Sequence, residues 1–222
     1  MEFNFKIEEA LKNIVKVGII QFDEIIVVKR DEKLIDEIFS YCTYLRATYP
    51  STDALKDQLK TTRALYKSLR LDPTKNRPSS EALIRRVIQG KSLYQINSIV
   101  DICNLSSIYF LLSIGLYDVD KISGKNIELR IGKKGEGYAG IGKEYINVSG
   151  RFTLADETVP FGNPSADSDR TKITLKTKKV MFVIFAPIDY STEMLNTHLD
   201  FIETKVHHYH DCKTEFKIIP AS

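Results

Sequence analysis

The spacing of hydrophobic residues changes character near Gly115. Before that residue, apolar side chains recur every three or four positions, which is the pattern of helices that bury one face. After it, short alternating segments between turns predict strands, and one long amphipathic stretch predicts a helix over 189–210. The helices predicted before Gly115 cover 33–48, 55–69, 79–90 and 98–113.

Two further segments, 17–20 and 24–29, are rich in β-branched residues and predict strands ahead of the first helix. Because a run of helices is followed by a run of strands, the pattern indicates an α+β fold. No repeat or linker interrupts the chain, so we predict one domain over 1–222. The strands predicted in the second half are 127–131, 145–148, 152–155, 172–175, 180–185 and 215–219.

Composition narrows the class of protein. Hydrophobic residues make up 43% and charged residues 27% of 222 positions, which is ordinary for a soluble globular protein. No apolar run reaches the length of about 18 residues that a membrane span needs, and the start lacks the apolar stretch of a signal peptide. We therefore expect a cytoplasmic protein without a membrane partner. The net charge of +3 is too small to indicate nucleic-acid binding over the whole surface.

Two motifs suggest cofactors or metals and have simpler interpretations. The glycines of 135–140 match Gly-x-Gly-x-x-Gly, but a strand-like turn follows where a dinucleotide site needs a helix, so we predict hairpin glycines. The histidines of 207–210, with Asp211 and Cys212, fit a surface helix end better than a metal site. Three separated cysteines exclude a disulfide framework and a four-cysteine zinc site. We predict neither a metal nor a cofactor.

Two polar clusters have both a functional and a structural interpretation. The first is basic and surrounds the 71–78 loop; it can contact phosphates, or it is a solvated helix start in which Arg85 pairs with Glu81. The second, 167–171, can bind an amine, a ribose or water, or it forms a tight turn. The basic residues are Lys75, Arg77, Arg85 and Arg86.

Three motifs in fixed order carry a resemblance to a known family. Val100-Asp101 is followed by Asn104, Tyr117-Asp118 by Asp120-Lys121, and Arg130 by Gly135-Glu136. The surrounding stretches resemble free-standing B3/B4-domain proteins and, less closely, the B3/B4 domain of the phenylalanyl-tRNA synthetase β subunit. Residues 1–65 add little to the resemblance, which implies a family-variable extension of the same domain. The matching stretches are 71–91, 96–124, 127–136, 154–156 and 161–180.

The resemblance implies helices followed by a mostly antiparallel β-sandwich around a pocket. In the synthetase, that pocket accepts misacylated tRNA and hydrolyses the ester that holds the wrong amino acid. The implied partner is therefore tRNA and not DNA, and the implied chemistry is attack by water with no metal. Val183 stands where the synthetase has a glutamate that recognises the tyrosine hydroxyl, which implies a substrate other than tyrosyl-tRNA.

The resemblance also nominates site residues. We expect Asp167 or Asp169 to place the water or the substrate amine, and Arg170 to anchor phosphate or brace an aspartate. The remaining positions that the resemblance assigns to substrate binding are Ser98, Cys103, Gly115, Asn163 and Thr171.

Three functions compete at this point. The first is a trans-acting editing protein that hydrolyses a misacylated aminoacyl-tRNA. The second is a module that binds tRNA or a small ligand without turnover, which the missing family histidine and glutamate favour. The third is hydrolysis of a small ester or amide unrelated to tRNA, since a fold does not determine a function.

Overall fold

The computed structural model describes residues 3–142 and 145–220. Its helices are α1 (Glu32–Thr48), α2 (Lys60–Ser68), α3 (Ser79–Ile88), α4 (Ser98–Phe110) and α5 (Thr192–Tyr209). Its strands are β1 (Asn4–Ile7), β2 (Val15–Asp23), β3 (Ser113–Asp118), β4 (Asn126–Ile131), β5 (Gly137–Tyr138), β6 (Ile146–Asn147), β7 (Phe152–Ala155), β8 (Pro160–Asn163), β9 (Ala166–Asp167), β10 (Val180–Pro187) and β11 (Lys213–Ile218). None of these helices is long and apolar enough to cross a membrane.

The strands form two main sheets. The first has the order β11-β2-β10-β3 and is antiparallel throughout. The second has the order β1-β4-β7-β8-β9, in which only the described pair β1 and β4 is parallel. β5 and β6 form a separate hairpin. The α+β class and the mostly antiparallel arrangement predicted from the sequence are confirmed.

Alternation along β10 shows how the layers stack. Phe182 and Ile184 belong to the core beneath α4 and α5, whereas Met181, Val183 and Phe185 belong to the core shared with the five-stranded sheet. Successive side chains of a strand point to opposite faces, so the four-stranded sheet is buried on both sides. The molecule therefore has three layers: helices, the four-stranded sheet and the five-stranded sheet. A third cluster fills the space between α1 and α3.

Most of the predicted helices are confirmed, and α3 ends before Gly90 as the sequence indicated, with Gly90 at a φ of 79°. The helix predicted over 55–69 begins later, at Lys60. Before it, residues 52–55 form a short 3-10 helix whose Leu55 is buried. The apolar residues there were identified correctly, but they belong to the 3-10 helix and to α2 and not to one continuous helix.

Two predicted strands are wrong. β2 ends at Asp23 because Glu24 adopts a left-handed conformation with a φ of 61°, which leaves 24–29 outside the sheet. The segment predicted over 172–175 is a turn in which the Thr177 N–H donates to the carbonyl of Thr174 (3.1 Å). Ile25, Val27 and Ile173 of these segments pack into the core without pairing as a strand, whereas Ile26, Val28 and Leu175 are exposed.

At the start of the chain the structure has strands ahead of the first helix, as predicted, and adds β1, which the sequence did not predict. β1 pairs with β4, and β2 lies inside the four-stranded sheet between β10 and β11. The first strands are thus built into both sheets, ahead of the helices. Residues before 61 therefore supply one strand to each of the two main sheets.

Candidate functional site

A cavity of about 390 Å³ lies where α3 and α4 meet the edge strand β3. α4 begins after Asn97, whose side chain accepts the Val100 N–H (3.1 Å), and it ends at Leu111 in a left-handed conformation. β3 starts two residues later, so this tight connection lays one face of α4 against the strand. The walls are mostly aliphatic and include Leu83, Val100, Cys103, Asn104, Leu116 and Asp167.

Asp167 is the acidic residue of this cavity. It lies in β9 at the edge of the five-stranded sheet, and its carboxyl group accepts hydrogen bonds from the Tyr117 hydroxyl (2.8 Å) and the Leu116 N–H (3.3 Å). Its remaining exposed surface faces the cavity, while protein surrounds the rest of the residue. Burial outweighs the two hydrogen bonds and raises the pKa of Asp167 to about 7. A carboxyl group in this state can accept or release a proton at neutral pH.

Two glycines make room for Tyr117, the partner of Asp167. The tyrosine is fully buried, and its ring packs edge-on against Phe161 (centroids 4.9 Å apart). A Cβ atom on Gly115 would lie 2.1 Å from the Tyr117 hydroxyl oxygen, and one on Gly162 would lie 2.2 Å from it. Gly115, which the resemblance assigned to substrate binding, thus lies beside the hydroxyl that holds Asp167 and not on the cavity wall.

Cys103 and Asn104 face the cavity from α4. Burial and the nearby Asp167 carboxyl raise the pKa of the Cys103 thiol well above its usual range, so the thiol stays protonated at neutral pH. Its sulfur lies 3.9 Å from the carbonyl oxygen of Ile114. Cys103 is therefore part of the wall and not a nucleophile, whereas the amide of Asn104 offers a hydrogen-bond donor to whatever occupies the cavity.

The polar run 167–171 is divided by the structure. Asp169 pairs with Lys172 (2.8 Å) near the surface, outside the cavity lining. Arg170 points the other way and pairs with the buried carboxylate of Asp156 (2.6 Å). Thr171 is buried beneath this turn. Only Asp167 of the five residues lines the cavity.

Asp156 is held by five donors. Its carboxylate accepts the backbone N–H groups of Ser123 (2.9 Å), Thr158 (2.9 Å) and Val159 (3.0 Å), the Thr158 hydroxyl (2.8 Å) and the Arg170 guanidinium. Burial alone would raise the pKa of Asp156, but these donors outweigh burial and lower it to about 2. Arg170 therefore braces an aspartate, though not one of the two that the sequence nominated.

Ser98 and Asn163 lie away from the cavity. Ser98 opens α4, and its hydroxyl accepts the N–H of Val28 (3.2 Å). Asn163 shapes the turn after β8, where its side-chain oxygen accepts the N–H groups of Ser165 (2.8 Å) and Ala166 (3.2 Å). Ser98 thus joins α4 to the segment after β2, while Asn163 lines a neighbouring cleft.

That neighbouring cleft, which we call the basic cleft, has a volume of about 380 Å³ and lies between α3 and the strands β7 and β8. Its cations are Lys75 and Arg77 from the loop before α3 and Arg151 from the turn before β7. Ser79, the first residue of α3, lines both the basic cleft and the Asp167 cavity. Sequence reasoning missed Arg151, because only the folded chain brings the turn before β7 beside the 71–78 loop.

The other two predicted basic residues have partners of their own. Arg85 and Arg63 both donate to the buried carboxylate of Glu81, with nitrogen–oxygen distances of 2.6–2.7 Å. Burial by itself raises the pKa of Glu81, but the two guanidinium groups hold it below its ordinary value. Arg86 donates to the carbonyl of Ser92 (2.6 Å) and stacks over the ring of Tyr94. Arg85 and Arg86 line a groove beyond Arg77 and not the basic cleft.

The two motifs with simpler interpretations can also be placed. Gly137 pairs with Asn147 in the β5–β6 hairpin, as predicted. His207 contacts the Thr214 hydroxyl (2.8 Å), and the Nδ1 atom of His210 lies 3.1 Å from the carbonyl oxygen of Ile26. Both histidines thus contact neighbouring chain segments at the end of α5.

Comparison with known proteins gave a similar solved structure and a matching family profile. One crystal structure, of an N-terminal fragment of the phenylalanyl-tRNA synthetase β subunit from Pyrococcus horikoshii, aligns with all of this chain at 16% identity and a TM-score of 0.47. The chain covers 55% of that fragment, so it spans about half the length of this neighbour. No curated protein matches. The sequence profile of the B3/4 domain matches residues 61–203, which is more than half of the chain, and the protein therefore belongs to the B3/4 domain family.

Proposed function

We propose that the protein binds the acylated 3′ end of a tRNA and hydrolyses the ester, with Asp167 as the proton acceptor. The observation that carries this proposal is a carboxyl group with a pKa of about 7 on the wall of a mostly apolar cavity. Membership of the B3/4 family supports it, because the resemblance to the synthetase domain implies a pocket for misacylated tRNA. The cytoplasm is then the expected location, with tRNA as the partner.

The proposed reaction uses Asp167 as the proton acceptor and Asn104 as a hydrogen-bond donor. In its ionised form Asp167 takes a proton from a water molecule, whose oxygen forms a bond to the ester carbonyl carbon. The carbonyl oxygen becomes an oxyanion, and the Asn104 amide donates to it from the other wall. The bond to the ribose oxygen then breaks, and that oxygen takes the proton back from Asp167. The products are a free amino acid and an uncharged tRNA.

Tyr117 positions the carboxyl group. Its hydroxyl donates to one oxygen of Asp167, and the Leu116 N–H donates to the other, which fixes the plane of the carboxyl group against β3. Each oxygen keeps a second lone pair for water. The aliphatic walls exclude bulk water, which strengthens the interaction between the carboxylate and the attacking water.

A binding module without turnover remains the second candidate function. One observation favours it: in the part of the chain that the structure describes, no histidine lines the cavity, and the lysine that does, Lys172, is paired with Asp169. Such a module would still hold an aminoacyl group, because a carboxylate attracts the substrate ammonium.

A deacylation time course separates the two candidates. Purified protein is mixed with a panel of aminoacylated tRNAs that includes phenylalanine and tyrosine charged on the tRNA for phenylalanine. Asp167→Asn keeps the size of the side chain and removes the base, so we expect the rate on the preferred substrate to fall by about 100- to 10,000-fold. Asp169→Asn is the matched comparison two residues away.

Loss of hydrolysis in the Asp169 variant alone would transfer the role to Asp169. Absence of hydrolysis across the panel, together with binding of one charged tRNA, would establish the binding module. In that case the affinity should weaken steeply with salt if several phosphates are bound, and little if only a small ligand is held.

A further inference from the structure

The basic cleft has the composition of an anion site. Its described lining contains three cations, Lys75, Arg77 and Arg151, and no carboxylate. Over residues 3–142 and 145–220, neither arginine forms an ion pair. The positive charge of Lys75 is partly compensated by Asp72. Hydrogen bonds from Thr74 are the main cause of the lowered pKa of the Asp72 carboxyl group, and the nearby charge of Lys75 is a smaller one. The uncompensated charge of the cleft therefore belongs to the two arginines.

The loop that carries Arg77 is held in place without any ligand. The Asp72 carboxylate accepts the N–H of Thr74 (2.8 Å), and the Asp72 carbonyl accepts the N–H of Asn76 (2.8 Å). At the other end, the Ser79 N–H donates to the carbonyl of Pro164 (3.0 Å), which ties the loop to the turn after β8. The loop is thus anchored at both ends and needs little ordering when an anion binds.

The floor of the cleft is polar but uncharged. The hydroxyl groups of Tyr66 and Ser165 are hydrogen-bonded to each other (2.6 Å) at this floor. Such groups can donate to a phosphate oxygen or to a ribose hydroxyl. Planar guanidinium groups bind phosphate oxygens in pairs, so two arginines above neutral hydroxyl groups suit the phosphates and ribose hydroxyls of an RNA end.

We propose that the basic cleft holds the phosphates of the last nucleotides of a single-stranded RNA end, with Arg77 and Arg151 as the recognising groups. This inference rests on the proposed function for its orientation: the cleft and the Asp167 cavity meet at Ser79, so the chain of phosphates lies on one side of the first turn of α3 and the acyl group on the other.

Binding of a short labelled RNA that ends in CCA tests the proposal. Its dissociation constant is measured by fluorescence anisotropy for the wild type, Arg77→Ala, Arg151→Ala and Lys33→Ala. Lys33 is an exposed lysine of α1, so Lys33→Ala is the control that also removes one positive charge, but away from the cleft. We expect each arginine variant to weaken binding about tenfold or more, and Lys33→Ala to change it less than twofold. The slope of log affinity against log salt should fall by about 0.7 for each lost phosphate contact.

Competition identifies the source of the phosphate. Inorganic phosphate and AMP are added to the same complex. We expect neither to displace the RNA below millimolar concentration, because each offers one phosphate to a site built for several. Displacement by micromolar AMP, lost in Arg151→Ala, would overturn the RNA proposal in favour of a mononucleotide site. If Lys33→Ala weakened RNA binding as much as the arginine variants do, the phosphate subsite would be overturned as well.

Failure of this inference differs from failure of the proposed function. RNA binding that depends on Arg151 in a protein without deacylase activity would keep the phosphate subsite and remove the hydrolysis. Deacylation with unchanged kcat and KM in Arg151→Ala would keep the hydrolysis and remove the subsite.

Discussion

Asp156 and Asp167 are the same residue type at two places beside one sheet, and their environments are opposite. Asp156 follows β7 and accepts five hydrogen bonds, one of them from the Arg170 guanidinium. Asp167 lies in β9 and accepts two, both from neutral donors. The pKa is lowered to about 2 in the first case and raised to about 7 in the second.

The difference shows that burial alone does not determine the role of a carboxyl group. Burial raises the pKa of both aspartates, and the number of donors decides which effect prevails. A carboxylate with five donors is an anchor, because every donor would be left unsatisfied without it. A carboxyl group with two donors and a free surface toward a cavity can exchange protons and bind a ligand.

The strongest test of this comparison is Asp156→Ala. Removing the carboxylate leaves Arg170 and three backbone N–H groups without their partner, so we expect the free energy of unfolding to fall by about 3–5 kcal/mol. Chemical denaturation measures the change. Asp53→Ala is the control, since Asp53 forms an exposed pair with Lys56 and its removal should cost less than about 0.5 kcal/mol. Similar losses in both variants would contradict the anchoring role.

A smaller effect is expected when Tyr117 is crowded. Gly115→Ala places a Cβ atom where the Tyr117 hydroxyl now lies, and we expect the displaced ring to lower the free energy of unfolding by about 1–3 kcal/mol. Deacylation should fall as well, because Asp167 loses a hydrogen bond that orients it. Gly90→Ala is a matched glycine change with open space around it but a φ of 79°, so it strains the backbone without touching the site. Intact deacylation in Gly115→Ala would separate Tyr117 from the mechanism.

The pH dependence of stability sharpens the comparison further. Between pH 4 and 7 folded Asp167 holds a proton that the unfolded chain releases, so this residue makes the free energy of unfolding fall as pH rises, by at most about 1.4 kcal/mol per pH unit. Asp156 acts in the opposite direction, because its contribution is present above pH 4 and is lost as pH falls toward 2.

Denaturation of the wild type and Asp167→Asn across this pH range measures the difference. We expect the stability of the wild type relative to the variant to decline from pH 4 to pH 7 and to level off above it. Parallel curves over the whole range would show that Asp167 has an ordinary pKa and is not the proton acceptor.

The helices and the long strands could be predicted from the sequence because their signal is local. α1, α3, α4 and α5 each show an apolar spacing that their own residues create, and β10 is a continuous apolar run. The short strands β8 and β9 carry no such signal. They are too short for an apolar period and are defined by pairing with their neighbours, since β8 lies between β7 and β9 in the sheet. The strand prediction for 24–29 was wrong because its β-branched residues pair with no strand in the described part of the chain.

The site was predictable only in part. Asp167 stood out because five polar residues in a row need an explanation, and that run also contained Arg170, which braces Asp156 and not Asp167. Tyr117 was noticed only as part of a family motif and was given no role in the site, whereas Arg151 did not stand out because it looks like an ordinary turn residue. Their roles depend on the contact between β3 and β9 and on the turn before β7, which no periodicity encodes.

The position of β2 has a consequence for biosynthesis. This strand ends at Asp23, yet its partners in the sheet begin at Val180 and Lys213. At typical elongation rates, an interval on the order of 10–30 s separates the emergence of β2 from that of β10. During that time an apolar strand waits on the ribosome with both edges unpaired, which is the state that chaperones recognise. The four-stranded sheet therefore cannot be completed until β10 and β11 have been synthesised.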